Sequence, residues 1–226
     1  MKKIKLLLII TSSLLFLTGC MKPEKKVQNS INYLEDKTYY KIHTDFMHNE
    51  STYSISYTFD EKSGITEKDI HIDSIPKSSQ YSKIDENNII KYYGEYVINP
   101  NLEDTYYLKN WNKEILEKNE ENIIEYKFLD KKFYIEMIKN GLEYKKADNG
   151  YEVLISKKYI QDIVNQLQDK QYIVEDDMYV NITLDGKNLD VLQFSDYSND
   201  LNNVIVMFQT KIDKNEEQQL EFPEVE

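Results

Sequence analysis

The chain has 226 residues, a formal net charge of −12, and lysine as its only strong base, since no arginine occurs. That balance argues against nucleic-acid binding, which needs clustered cations on phosphates, and against attachment to an anionic membrane by charge. Cys20 is the only cysteine, so no intrachain disulfide can form and the fold must stand on its apolar core.

Lys2, Lys3 and Lys5 precede an apolar run from Leu6 to Leu17. At about a dozen residues this run falls short of the roughly 20 that a spanning helix needs, and its flanks describe an export signal. Leu17-Thr18-Gly19-Cys20 resembles the lipobox of bacterial lipoproteins: an aliphatic residue, two small ones, then the cysteine. The resemblance implies a signal peptide over residues 1–19, cut before Cys20, and a diacylglyceryl group on the Cys20 thiol. It also implies a place on the extracytoplasmic side of the cell membrane. Each buried methylene contributes about 0.8 kcal/mol, so one acyl chain binds marginally and two hold firmly. Residues 20–26 are then the lipidated cysteine and a short polar tether. Residues 27–226 are read as a single domain, with no fixed-period repeat and no linker.

Val27, Ile31 and Leu34 predict a short amphipathic helix up to about Asp36. The period then becomes two. Tyr40, Ile42 and Phe46 alternate with Lys41, His43 and Asp45, and Tyr53, Ile55, Tyr57 and Phe59 alternate with Ser54, Ser56, Thr58 and Asp60. Glu61 to Gly64 forms a turn. A shorter strand holds Ile70 and Ile72, with Pro76 marking a strand end or sheet edge beyond it. Ile90, Tyr92, Tyr96 and Ile98 predict another strand, and Tyr106 and Leu108 continue the pattern to Trp111. Asn112 to Glu121 is charged and helix-compatible, while Ile124, Tyr126 and Phe128 alternate like a strand. Phe133 to Ile138 reads as a helix with Gly141 as its C-cap. Asp148-Asn149-Gly150 marks a hairpin. Ser156 is placed as the N-cap of a helix whose stripe is Ile160, Ile163, Val164 and Leu167. Strands follow over Val174–Leu184, Leu189–Phe194 and Val204–Ile212, with a loop from Asp196 to Asn203. The 19 tyrosines suit half-buried strands, so their abundance is read as structural.

Strands in a meander, a helical connection halfway and a closing run of strands describe an α+β domain. The order of pieces resembles the LolA-like lipoprotein superfamily, the fold of LolA, LolB and lipoproteins of the LppX and LprG type. The similarity extends to the aromatic at Trp111, the run Val180-Asn181-Ile182-Thr183-Leu184-Asp185 before a turn, and the ending Phe222-Pro223-Glu224-Val225. It implies a strongly curved antiparallel sheet forming an open half-barrel, with helices on its concave side. An apolar hollow between sheet and helices would suit a lipid. Its candidate lining is Tyr53, Ile55, Tyr57 and Phe59 facing Ile160, Val164 and Leu167, with Tyr92 and Tyr96 from a later strand. Two functions follow. One is a lipid-anchored protein that binds or carries a lipid or other apolar ligand without chemistry. The other is an anchored interaction protein or scaffold of the same fold with a filled interior, its protein partner undefined. Arginine recognition of a lipid headgroup is excluded by composition.

No HExxH, Walker loop, GxSxG or CxxC occurs, so no catalytic residue, metal ligand set or cofactor is assigned. His43 and Asp45 share a strand face, but two ligands fall short of a metal site and read as solvated side chains. Ser74-Ile75-Pro76-Lys77 matches SxxK, yet Pro76 opposes the helix that motif needs. Glu175-Asp176-Asp177 lacks the alternation of a calcium loop and reads as a turn or solvated face.

Overall fold

The computed structural model describes residues 21–48, 51–102, 105–119, 129–167, 173–196, 206–213 and 219–224. The described residues form one antiparallel sheet of 11 strands, not closed, accompanied by three α-helices. Helix α1 (Pro23–Ile31) runs into a 3-10 turn (Asn32–Leu34). The first half of the sheet is β1 (Tyr39–His48), β2 (Ser51–Asp60), β3 (Ile65–Ile72), β4 (Ile75–Ile84), β5 (Asn88–Ile98) and β6 (Tyr106–Glu117). Then come α2 (Lys131–Lys139), β7 (Glu143–Ala147), β8 (Gly150–Ile155), α3 (Lys157–Leu167), β9 (Met178–Asp185), β10 (Asn188–Asp196) and β11 (Val206–Asp213). Along the sheet the order is β6-β5-β4-β3-β2-β1-β11-β10-β9-β8-β7, so two meanders meet where β1 pairs with β11.

Local chemistry explains the element ends. Pro23 opens α1, where a missing N–H costs nothing. The Asp130 carboxylate caps α2 by accepting from the Lys132 and Phe133 amides at 2.9 and 3.1 Å. At α3 the Lys157 amide donates to Asp177 Oδ1 at 2.8 Å, so part of the acidic run Glu175–Asp177 serves as a cap. The Ser156 carbonyl accepts from the Tyr159 amide. Gly141 follows α2 for steric reasons: a Cβ there would lie 2.5 Å from a Val153 methyl and 2.8 Å from the Tyr144 ring. Asp148 and Asn149 make the two-residue turn into Gly150, whose φ of +152° only glycine adopts readily.

One face of the sheet is apolar, and buried residues of the helices join it in a single core. Tyr40 and Ile42 of β1, Ile55, Tyr57 and Phe59 of β2, and Val153, Val180, Leu192 and Ile212 from the other half are buried together. Against them pack Val27 and Ile31 of α1, Tyr134, Met137 and Ile138 of α2, and Ile160, Ile163 and Val164 of α3. Tyr134 reaches through this layer to hydrogen-bond Thr44 and Thr210, themselves 3.0 Å apart across the β1–β11 seam. Lys131 is 5 % exposed and ties four segments together. Its ammonium donates to the Glu35 carbonyl at 3.3 Å, to the Lys37 carbonyl and to the Glu61 carboxylate at 2.9 Å, and sits over the Tyr40 ring.

Two stretches differ from the sequence expectation. Asn112 to Glu117, read as helix-compatible, continues β6 as a charged edge strand paired with β5. Charge on an edge strand blocks pairing with other chains, and it also erases the apolar alternation that would have marked the strand. Beyond Pro76 the chain forms β4 inside the sheet, with Pro76 at a register shift where a missing amide is tolerated. The expected strand over Ile124–Phe128 and the loop at 197–203 lie outside the described residues.

Burial pushes the Tyr134 phenol up to about 12, against the lowering effect of its two threonine partners, and raises Tyr40 and Tyr57 as well. Stability from neutral phenols is complete below the ordinary phenol value near pH 10 and is lost as pH rises through the folded-state value. The urea midpoint should therefore fall between pH 10 and about pH 12, and fall less steeply in Tyr134→Phe. A midpoint unchanged over that range in the native chain would contradict buried neutral phenols.

Candidate functional site

Cross-strand register decides which side chains share a face, because partners across a ladder point the same way. Tyr57, Lys68, Gln80 and Tyr93 follow one another across β2 to β5 on the helix face. Thr58, Glu67, Tyr81 and Tyr92 follow one another on the opposite face. The expected cavity lining is therefore divided. Ile55, Tyr57, Phe59, Ile160 and Val164 are buried in one cluster with Tyr53 packed against it, whereas Tyr92 and Tyr96 must be corrected to the other side of the sheet. Tyr92 packs against Phe222 in a tilted pair, with ring centroids 4.6 Å apart, and Tyr96 lies beside His71. The Leu167 side chain and Cys20 lie outside the described residues.

That opposite face has two parts. One is covered by the C-terminal segment 219–224. The Leu220 amide donates to Asp60 Oδ2 at 3.0 Å, and Phe222 reaches Tyr92. Asp60 also accepts from the Ser63 hydroxyl at 2.8 Å and from the Lys62 and Ser63 amides. Burial alone would raise this carboxyl, but the donors, led by the Ser63 hydroxyl, hold it below the ordinary value. Nearby, the β5 strand bulges between Tyr93 and Glu95, and Gly94 lies against the Trp111 indole, where a Cβ would come within 3.0 Å.

The second part is an open cleft of about 490 Å³ lined by Lys41, His43, Ser54, Ser56, His71, Ser74 and Lys211. Four strands and one turn build it. His43 of β1 lies directly across from Ser56 of β2 and from Lys211 of β11, and Ser54 lies across from His71 of β3. Lys41 is two residues before His43, hence on the same face. His43 Nδ1 is 2.7 Å from Ser56 Oγ, His43 Nε2 is 2.9 Å from Asp45 Oδ1, and the Ser54 hydroxyl donates to Asp45 at 2.5 Å. Asp45 only accepts, so Nε2 carries a proton, and Nδ1 shares a hydrogen bond with the Ser56 hydroxyl.

This row has the composition of a hydrolytic triad without its surroundings. Ser56 is buried in mid-strand, between β1 and β3, so the backbone amides around it serve ladders on both sides. No pair of spare amides is left there to stabilise an oxyanion. The arrangement is suited to holding a ligand. Sequence reading reached His43 and Asp45 as neighbours on a strand face, but not Ser56, His71 or Lys211, whose places depend on register. Among the described residues no group of three or more His, Cys, Asp or Glu side chains could hold a metal ion.

No protein-family model and no curated protein sequence matches the chain.

Asp60→Ala should free the C-terminal segment and cost about 1–3 kcal/mol, since four donors lose a buried acceptor. Limited proteolysis should then clip the chain near residue 220 much faster than in the native protein. Because the Asp60 carboxyl is lowered on folding, its contribution is present above the ordinary carboxyl range and lost as pH falls through the folded-state value. The native chain should lose more stability than Asp60→Ala over that acid range, as read from urea midpoints. Equal losses would contradict the assigned role.

Proposed function

We propose that this chain is a lipid-anchored, extracytoplasmic binding protein without catalytic activity, of LolA-like half-barrel type, whose interior is filled by its own side chains. The lipobox-like Leu17-Thr18-Gly19-Cys20 supports the anchor. An antiparallel sheet of 11 strands, left open between β6 and β7 and carrying helices on one face, supports the half-barrel reading. No helix among the described residues is long and apolar enough to cross a membrane. Attachment is assigned to acyl chains on Cys20.

The observation that carries the choice between ligand carrier and interaction protein is the sealed helix stripe. Ile160, Ile163 and Val164 of α3 are 0–2 % exposed, and Ile55, Tyr57 and Phe59 of β2, in the same apolar cluster, are 6–7 % exposed. A side chain with almost no accessible surface has no water-sized space beside it, so the α3 stripe packs against its neighbours instead of lining a void. That favours the interaction protein, with recognition on the open face of the sheet, away from the helices.

Cys20→Ser should release the folded protein into the medium, because it removes the acceptor of the acyl chains and changes none of the core residues. Retention on cells after a salt wash would remove the anchor from the proposal. Native mass spectrometry of the released form should give the mass of the bare chain. A co-purifying lipid would restore the carrier reading in its place.

A further inference from the structure

Two buried polar atoms on the open face, Asp69 Oδ1 and Ser79 Oγ, have no hydrogen-bond partner among the described residues. Asp69 of β3 lies directly across from Ser79 of β4, and Ser79 directly across from Gly94 of β5. The two atoms therefore stand side by side in one row of the ladder. Ser79 is 1 % exposed. A buried hydroxyl and a buried carboxylate oxygen are both costly to leave unpaired, the charged one more so. The pair calls for a donor from outside the chain.

Aromatic rings stand around the pair. The Trp111 indole lies on Gly94, and Tyr81 meets it edge-on with ring centroids 5.7 Å apart. The Tyr81 hydroxyl donates to the Glu67 carboxylate, which holds that ring over the next row. On the other flank Tyr96 sits 6.5 Å from His71, two positions beyond Asp69 on β3. Burial first, and then the charge of Asp69, push the Tyr96 phenol up to about 12. Burial, the bond to Glu67 and the charges of Glu67 and Asp69 raise Tyr81 as well. Both phenols thus lie within close range of the Asp69 carboxylate. Ser56, across from Asp69 on β2, and His71 also line the cleft of about 490 Å³, so the pair borders a space of small-molecule size.

We propose that Asp69 and Ser79, set between Tyr81, Tyr96 and Trp111, bind an alkylammonium group (R–NH3+) that enters from the cleft. An ammonium carries three N–H donors and no acceptor, so one serves Asp69 Oδ1 and a second serves Ser79 Oγ. The ring faces attract the same positive charge through their quadrupoles. A chain of net charge −12 also draws cations in preference to anions. The alkyl body of the ligand then lies in the cleft. The assignment rests on the interaction-protein reading above and gives the open face a ligand chemistry. Its source is either a small amine or a lysine side chain of a partner protein.

Trp111 is the only tryptophan in the chain, so its fluorescence reports on this site alone. The mature lipidated protein in a non-ionic detergent is titrated with butylammonium chloride at constant ionic strength. A saturable change in emission is expected. Tetramethylammonium, of equal charge but without N–H, should bind at least about threefold more weakly. Asp69→Asn should weaken butylammonium binding about tenfold or more, and Ser79→Ala about threefold. The urea midpoint of Asp69→Asn should stay at or above the native value, because the variant loses an unpaired buried charge. Absence of a saturable response, or native-like binding by either variant, overturns the site. Equal binding of tetramethylammonium overturns the hydrogen-bonded role of Asp69 and Ser79. Nα-acetyl-lysine methylamide separates the sources. Binding at least about threefold tighter than butylammonium supports a partner's lysine, and equal or weaker binding supports a small amine. Failure here would leave the Cys20→Ser release and the bare-chain mass standing, so the two proposals fail separately.

Discussion

The seam between β1 and β11 is the constraint on which the rest of the molecule depends. Each half of the chain makes a meander whose strands are adjacent in sequence, and only this pairing turns two sheets into one. The seam is also polar at its centre, since Thr44 and Thr210 meet inside the apolar layer. A pair of buried hydroxyls is acceptable only when satisfied, and Tyr134 completes it from above. One tyrosine on α2 thus fixes the helix layer to the line where the halves of the sheet join. Lys131, three residues earlier, fixes the same helix to the turn before β1 and to the β2–β3 connection. Helix and seam are held from both ends of a single turn of helix.

The parts of the fold that were legible in the sequence are those where one face is apolar and the other polar. β2 shows its alternation plainly, and the α3 stripe is complete through Val164. β4 was not legible, because it lies beyond the strands that the helices cover. Its sequence Ile75-Pro76-Lys77-Ser78-Ser79-Gln80-Tyr81-Ser82 has no apolar face to show. β6 was half legible, and its charged second half mimicked a solvated helix. The misplacement of Tyr92 and Tyr96 has a different origin. Alternation identifies the two faces of a strand, but says nothing about which of them meets the core, and β5 carries tyrosine on both.

The cleft illustrates the same limit from the side of function. Lys41, His43 and Asp45 stand two apart in the sequence, so their common face could be read directly. Their neighbours come from residues 13 and 168 positions away from His43, supplied by ladders whose register no local pattern encodes. A polar row on a strand ordinarily means solvent. Here the row becomes a cleft because lysine, histidine and serine from separate strands fall side by side around it.

Leaving the sheet open has its own cost, since among the described residues β6 and β7 end it without a further strand. Both margins carry opposite charges close together: Lys91 of β5 pairs with Glu114 of β6 at 3.6 Å, and Lys145 pairs with Glu143 within β7 at 3.3 Å. Asn110 adds a left-handed kink within β6, at a φ of +56°. Kinked, charged margins make poor templates for a further strand. Were the proposed anchor to crowd copies in two dimensions on a bilayer, collisions between margins would be frequent, and such borders would keep neighbours from zipping into ribbons while the broad faces stay free.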